Sequence, residues 1–328
     1  MSVSKDDRRV ARWGMALVLG IALAFPLGAA QLYSTFYLDL VIRIFIFGVL
    51  LVGYDLLAGY AGMVSFGHAM FFGVGAYTEG LLLLHTTLPW PLAFGAGVVL
   101  AAVVAYLIGY LSIQSKGIYF ILLTQAFGQF FYLVAYHWNG LTGGADGLHG
   151  IPKVSLGPFA LDSSFNYYYF ALTIFTLAWM GCRRVVRSPF GRALVAIRQN
   201  EERARFLGYN TRRYQRQAFL ISGILGGVAG CMFVTFQGYV VPDFLHWSRS
   251  GDFILMTWLG GVGTLIGPVL GAGVVLYFGD LLSSWTQNWM IFMGALYVLF
   301  VLFSPRGLMG MINSLRWQRR DPSADKTG

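Results

Sequence analysis

The chain has 328 residues, 57% of them apolar and only 11% charged, with 42 glycines and a mean hydropathy of +0.63. Soluble domains average about 45–50% apolar and about 25% charged, so a soluble enzyme could not hide this surface and a disordered chain would not carry it. The net charge of +9 is not a nucleic-acid signal, because the basic residues lie in loops between apolar runs, as the positive-inside rule expects of a membrane protein.

A spanning helix needs roughly 20 mostly apolar residues. Behind a short basic tail (1–13, with Lys5, Arg8, Arg9 and Arg12), an uncleaved first helix is expected at 14–30. Further spans are expected near 36–58, 63–84, 91–113, 118–136, 167–183, 217–240 and 286–304. Between 252 and 282, Gly260-Gly261-Val262-Gly263 and Gly267-Pro268 should break a continuous helix, leaving two short passes or a re-entrant hairpin. The fold class is therefore all-α and polytopic, a transmembrane region over 14–305 followed by a basic tail over 306–328. With the N-terminus inside, twenty of the 23 basic residues fall on the inner side only if the broken stretch counts as two passes or none, so eight or ten crossings are expected. Arg43, Lys153 and Arg249 are left on the outer side. Cys182 and Cys231 sit in or beside apolar segments and imply neither a disulfide framework nor a zinc site.

Two loops stand out. The outer one, 137–166, is turn-rich, with Gly140, Gly143, Gly144, Gly147, Gly150, Pro152, Gly157 and Pro158. The inner one, 183–216, carries ten arginines but is not featureless. Ser188-Pro189 is a helix start, and Ala193, Ala196 and Ile197 then share a face by their spacing. A second short helix begins at Asn200, with Glu201 and Glu202 at its positive end, Arg203 and Arg205 toward its negative end, and Gly208 as a left-handed stop. The pattern reads as a docking surface or as an ordinary solvated basic loop.

No Gly-x-x-x-x-Gly-Lys-Ser/Thr loop occurs, so the chain should not bind ATP itself. No His-Glu-x-x-His or Gly-x-Ser-x-Gly motif supports a membrane enzyme. Ionisable groups inside spans are costly and often functional. Arg43 lies near an outer end, where it can snorkel, and Asp55 near an inner end, where wetting is cheap. Glu79 approaches an outer end and is undecided. His68 either bonds a neighbouring helix or borders a polar path. Thr124, Gln125 and Gln129 form a polar stripe that serves either interhelical hydrogen bonding or a pathway.

Five segments then carry a family likeness: Gly59–Thr78 (GYAGMVSFGHAMFFGVGAYT), Lys116–Gln129 (KGIYFILLTQAFGQ), Thr142–Pro152 (TGGADGLHGIP), Ser188–Asn210 (SPFGRALVAIRQNEERARFLGYN) and Leu259–Gly271 (LGGVGTLIGPVLG). In this order they resemble the LivM-type permeases of branched-chain amino acid ABC transporters, within the LivH/LivM family. The resemblance implies an ABC importer permease fold in a bacterial inner membrane, with both termini cytosolic. It implies transport of leucine, isoleucine and valine rather than catalysis, with no cofactor in this chain: ATP and Mg would be bound by two partner ATPase subunits. A second permease would complete the pathway, and a periplasmic binding protein would face the 137–166 loop. By the same resemblance, 183–216 is a cytosolic coupling loop whose contacts include Gly191, Arg192, Ala193, Ala196, Arg198, Asn200, Glu201, Ala204 and Gly208. Ser65, His68, Thr124, Gln125 and Gln129 are pathway candidates. Arg212, Arg213 and Arg216 depart from the family pattern. The competing reading is a stand-alone secondary transporter or channel for small polar solutes such as urea or amides.

Overall fold

The computed structural model describes Pro26 and residues 35–156, 159–303 and 307–311. The expected first helix at 14–30 (Pro26 apart), the tail 1–13 and most of the tail 306–328 lie outside the described residues. The helices are α1 (Thr35–Asp55, continued as a π-helical turn over Leu56–Tyr60), α2 (His68–His85), α3 (Trp90–Ser112), α4 (Ile118–His137) and α5 (Ser164–Arg187). Two short helices follow, α6 (Pro189–Gln199) and α7 (Glu201–Phe206), and then α8 (Thr211–Gln237), α9 (Trp247–Gly260), α10 (Gly267–Trp285) and α11 (Trp289–Phe303). Among the described residues, strands are confined to two-residue pairs, such as Leu148–His149 against Tyr239–Val240. Among the described residues, five helices are long and apolar enough to cross a membrane: 36–60, 90–112, 118–137, 211–237 and 267–285. The all-α polytopic architecture is as the apolar periodicity requires.

In their most apolar windows, α1 and α8 are 72% and 67% buried within the chain, against 22% for α4. They form the centre, with α2, α3, α5 and α10 packed around them. Lipid is as apolar as leucine, so helices associate there through close packing and polar contacts. At Gly230 of α8 a Cβ would overlap the carbonyl of Phe72 on α2; only a residue without a side chain lets these two backbones meet. Glu79, fully buried, accepts hydrogen bonds at Oε1 from Trp90 Nε1 (2.7 Å) and Thr235 Oγ1 (2.7 Å). It thereby ties α2 to α3 and α8, which resolves its undecided role in favour of structure.

Arg43 does not snorkel. Its guanidinium pairs with both carboxylate oxygens of Asp280 on α10, a partner 237 residues away that no local pattern announces. With both side chains about three-quarters buried, pairing is what makes either charge tolerable at that depth.

The ends of the bundle are distinguished by their loops. At one, the basic end, the turn after α1, the α3–α4 link and α6–α7 come together; at the other lie the α2–α3 link, the 138–163 loop and the end of α8. The expected broken stretch proves longer than 252–282. Helix α8 stops at Gln237, with Gly238 in the left-handed region (φ +75°), and the chain turns back into the bundle in irregular form until Leu245 packs on Gly73 of α2. Only there does α9 begin, so it fills just the half nearest the basic end. Pro242 (at the start of a 3-10 turn) marks this departure from the expected span 217–240. Likewise α2 starts at His68, not at 63; residues 61–67 are irregular. At the basic end the 261–266 turn leads into α10, so the stretch makes two limbs.

Replacing Arg43 by Ala strands Asp280 and should destabilise the chain by about 1–3 kcal/mol, less than the 3–5 typical of a fully buried pair. Thermal unfolding in one lipid mixture should show Arg43→Leu combined with Asp280→Leu recovering much of that loss.

Candidate functional site

The basic-end hairpin is built from caps. Ser188 Oγ accepts from Gly191 N (3.4 Å) with Pro189 at the first helical position of α6. Asn200 Oδ1 accepts from Arg203 N (2.9 Å) at the start of α7, and Asn210 Oδ1 from Arg213 N (3.2 Å) at the start of α8. Each satisfies a backbone donor that a helix start leaves without a partner. Gly208 takes φ +88° with open space around it, so the need for glycine there is conformational. These are the start and stop signals visible in the sequence.

Which face is outward is a correction. The buried residues of α6 are Gly191, Ala193, Leu194 and Ile197, whereas Ala196 is exposed. Leu194, not Ala196, shares the inner face, because the larger apolar side chain is the one driven against the bundle. Ala204 is also buried. Gly191, Ala193 and Ala204 therefore hold the hairpin to its own chain, while Arg192, Ala196, Asn200 and Gly208 are exposed. Sequence reasoning missed Phe206 and Leu207, 92% and 72% exposed. In the sequence they are two large apolar residues between the charged stretch Glu201–Arg205 and a helix-ending glycine, a pattern that does not by itself say which way they face.

Arg198 reaches back toward the bundle. Its Nη1 donates to the carbonyl of Gly59 in the π-helical turn, and its stem lies across Gly62 (φ +73°), where a Cβ would come within 2.8 Å of Arg198 Cγ. From the same turn Tyr60 Oη donates to Gly263 O (2.8 Å). Asp55 is fully buried rather than wetted. Its Oδ1 accepts from Gly263 N (2.6 Å) and its Oδ2 from Leu265 N (2.8 Å). Leu265 has φ 60°, a sparsely allowed region for a side-chain-bearing residue. A continuous set of bonds thus runs from α6 through the end of α1 to the α9–α10 turn.

Glu201 anchors the other side. Its carboxylate meets Lys116 Nζ (2.8 Å) and Arg205 Nη2 (3.0 Å) and accepts from Thr211 Oγ1 (3.2 Å). Burial pushes this carboxyl up, but the Lys116 bond and charge, with Thr211 and Arg205, outweigh it and hold it below its ordinary value.

The interior candidates divide. Ser65, His68 and Thr124 are fully buried and serve the irregular segment before α2. Ser65 Oγ accepts from Gly67 N (3.2 Å), and Thr124 Oγ1 accepts from Phe66 N (3.2 Å). His68 Nε2 bonds Ser222 Oγ on α8 (2.7 Å), with its ring edge-on to Tyr54. Ser250 Oγ accepts from Ala69 N (2.9 Å). Gln125 and Gln129 are half-buried on α4 and are not brought into this cluster.

A family model described as "Branched-chain amino acid transport system / permease component" matches residues 36–301. The chain is 27% identical over 322 residues to the high-affinity branched-chain amino acid transport system permease protein LivM of Escherichia coli (strain K12), covering 90% of this chain and 74% of that protein. It is 29% identical over 323 residues to LivM of Salmonella typhimurium, with the same coverage. It is 26% identical to LivH of Salmonella typhimurium, over 80% of this chain and 91% of that one. No solved structure matches.

A double-mutant cycle on Lys116→Ala and Glu201→Ala, read by thermal unfolding, should give a coupling of no more than about 1 kcal/mol at neutral pH, since Lys116 is mostly solvated. A carboxyl held low stabilises the fold above its ordinary value of 4.5, so the coupling should fade as pH falls below that value and Glu201 takes up its proton.

Proposed function

We propose that this chain, which belongs to the family of branched-chain amino acid transport system permease components, supplies one of two permeases in an ATP-driven importer of leucine, isoleucine and valine. Its partners are a second permease of the same family, two ATPase subunits that bind ATP and Mg, and a periplasmic binding protein. In this reading the basic end faces the cytosol of a bacterial inner membrane, a placement supported by the arginine-rich α6–α7 region, and the 138–163 loop faces the binding protein. The stand-alone transporter or channel reading has no support in the family match.

The observation that carries this reading is the α6–α7 hairpin: capped, rigidly held, and presenting Phe206 and Leu207 to solvent. Large exposed apolar side chains in a basic surround mark a contact with another protein. An ATPase subunit seated there would move the hairpin as its own conformation changes. Arg198 passes that displacement to the π-helical turn at the end of α1, and Asp55 and Tyr60 pass it to the α9–α10 turn. Helix α9 is short and preceded by irregular chain, so it can shift without bending a full span. π-Helical turns are themselves concentrated at functional sites.

An amino-acid zwitterion carries two charges that hydrocarbon does not accept. The path must therefore open as a transient polar cavity between two permeases, alternately to each side. Gln125 and Gln129, on the sparsely covered α4, are better suited to line it than Ser65 or Thr124, whose oxygens accept from backbone donors, or His68, whose Nε2 is bonded to Ser222 although its Nδ1 has no partner. Selectivity then rests mainly with the binding protein, and this chain provides a permissive conduit.

Phe206→Glu with Leu207→Glu should leave membrane insertion intact but lower ATPase-subunit co-purification and leucine uptake at least about tenfold, the effect expected when interface anchors are lost. Unchanged ATP-driven uptake sinks the docking role. Arg198→Gln should retain the ATPase subunits yet lower the leucine moved per ATP hydrolysed, measured in proteoliposomes, and an unchanged ratio removes Arg198 from the transmission path.

A further inference from the structure

Arg212, Arg213 and Arg216, which the transport reading leaves without a task, line one open cavity of about 600 Å³ together with Tyr106, Asn210 and Gln217. No carboxylate lines it, and among the described residues none of the three arginines is in an ion pair. Glu201, beside Thr211, is already held by Lys116 and Arg205. The Arg216 guanidinium lies 4.6 Å from the centre of the Tyr110 ring, and its Nε is buried with no hydrogen-bond partner. Three arginines lining one cavity without a counter-charge form a site for an anion.

The surface joined to this cavity narrows the anion's identity. Along α3, Val99, Val103, Tyr106 and Tyr110 follow one another at helical spacing, each about half exposed or more. This stripe runs from mid-bundle straight to the arginines. Its ends lie eleven positions apart, which at 1.5 Å per residue is about 16 Å, close to the depth of one leaflet's hydrocarbon, about 15 Å. We infer that the cavity holds the headgroup of an anionic phospholipid of the basic-end leaflet, with an acyl chain lying along the α3 stripe. A free phosphate would match the arginines alone, whereas a lipid matches both the arginines and the apolar surface that leads directly to them. The inference rests on a surface separate from Phe206 and Leu207 and does not depend on the transport partners.

The test reconstitutes the full chain in phosphatidylcholine nanodiscs containing a minor fraction of phosphatidylglycerol, and native mass spectrometry reads the ratio of the two lipids retained. The wild type should enrich phosphatidylglycerol, and the Arg212→Gln, Arg213→Gln, Arg216→Gln triple variant should lose that enrichment about tenfold or more. The corresponding triple Lys variant, which keeps the charges, should retain most of it. Should the Gln triple fail to fold, Arg216→Gln alone and the loss of wild-type enrichment at high salt give the same readout. Equal enrichment by wild type and Gln variants overturns the proposal, as does displacement of phosphatidylglycerol by inorganic phosphate, which identifies a free-anion site. A photocrosslinker replacing Tyr106 should capture lipid in native membranes; capture of a polypeptide instead assigns the surface to a protein partner and also overturns it.

Discussion

Hydrocarbon offers no hydrogen bonds, so each peptide group at membrane depth must find its partner within the protein. Regular helices meet this condition by themselves. This chain interrupts its helices at 61–67, 238–246 and 261–266, and the rest of the architecture follows from how those interruptions are satisfied. Ser65, Thr124 and Ser250 accept from backbone donors at the entry to α2, and Asp55 accepts two from the α9–α10 turn. Polar side chains that look like pathway residues are in large part the partners of irregular backbone. Removing one exposes a buried donor, which costs more than the bond itself is worth.

The same constraint gives the bundle its mechanical character. Around the central α1 and α8, glycines let backbones touch, as at Gly230 against Phe72, and the Glu79 and Arg43 contacts fasten α2, α3 and α10 to this centre. Two of the three breaks, 61–67 and 261–266, lie in contrast toward the basic end, near the hairpin of α6 and α7. Under the proposed coupling, a stiff centre and a segmented end would transmit a displacement applied at the surface into the half-length helix α9. The Arg198–Gly59 and Asp55–Gly263 bonds lie along that route.

Local rules accounted for the capped hairpin almost residue by residue: Ser188, Pro189, Asn200 and Gly208 each act where their chemistry is favoured. They failed for Ala196, because helical spacing alone does not say which of two adjacent stripes meets the bundle. They failed again for Asp55 and Arg43, whose partners lie 208 to 237 residues away in sequence. The irregular descent at 238–246 was marked in the sequence by Gly238, Pro242 and Asp243, but the apolar residues among them, Tyr239, Val240, Val241, Phe244 and Leu245, gave no sign that the chain turns back into the bundle there.

Composition, run length and the placement of charge by themselves determined that this is a helical membrane protein, where most of its spans lie, which end gathers the arginines, and that the 183–216 loop carries helix caps. Each of these depends on interactions within a few residues or on partition between water and lipid, which act on the chain as a string. Only the tertiary structure decided which polar groups are consumed by the fold, that Phe206 and Leu207 are left outward, and that Arg198 and Asp55 join the hairpin to a broken helix. Those are pairings between distant segments, and they exist only once close packing has brought the segments together.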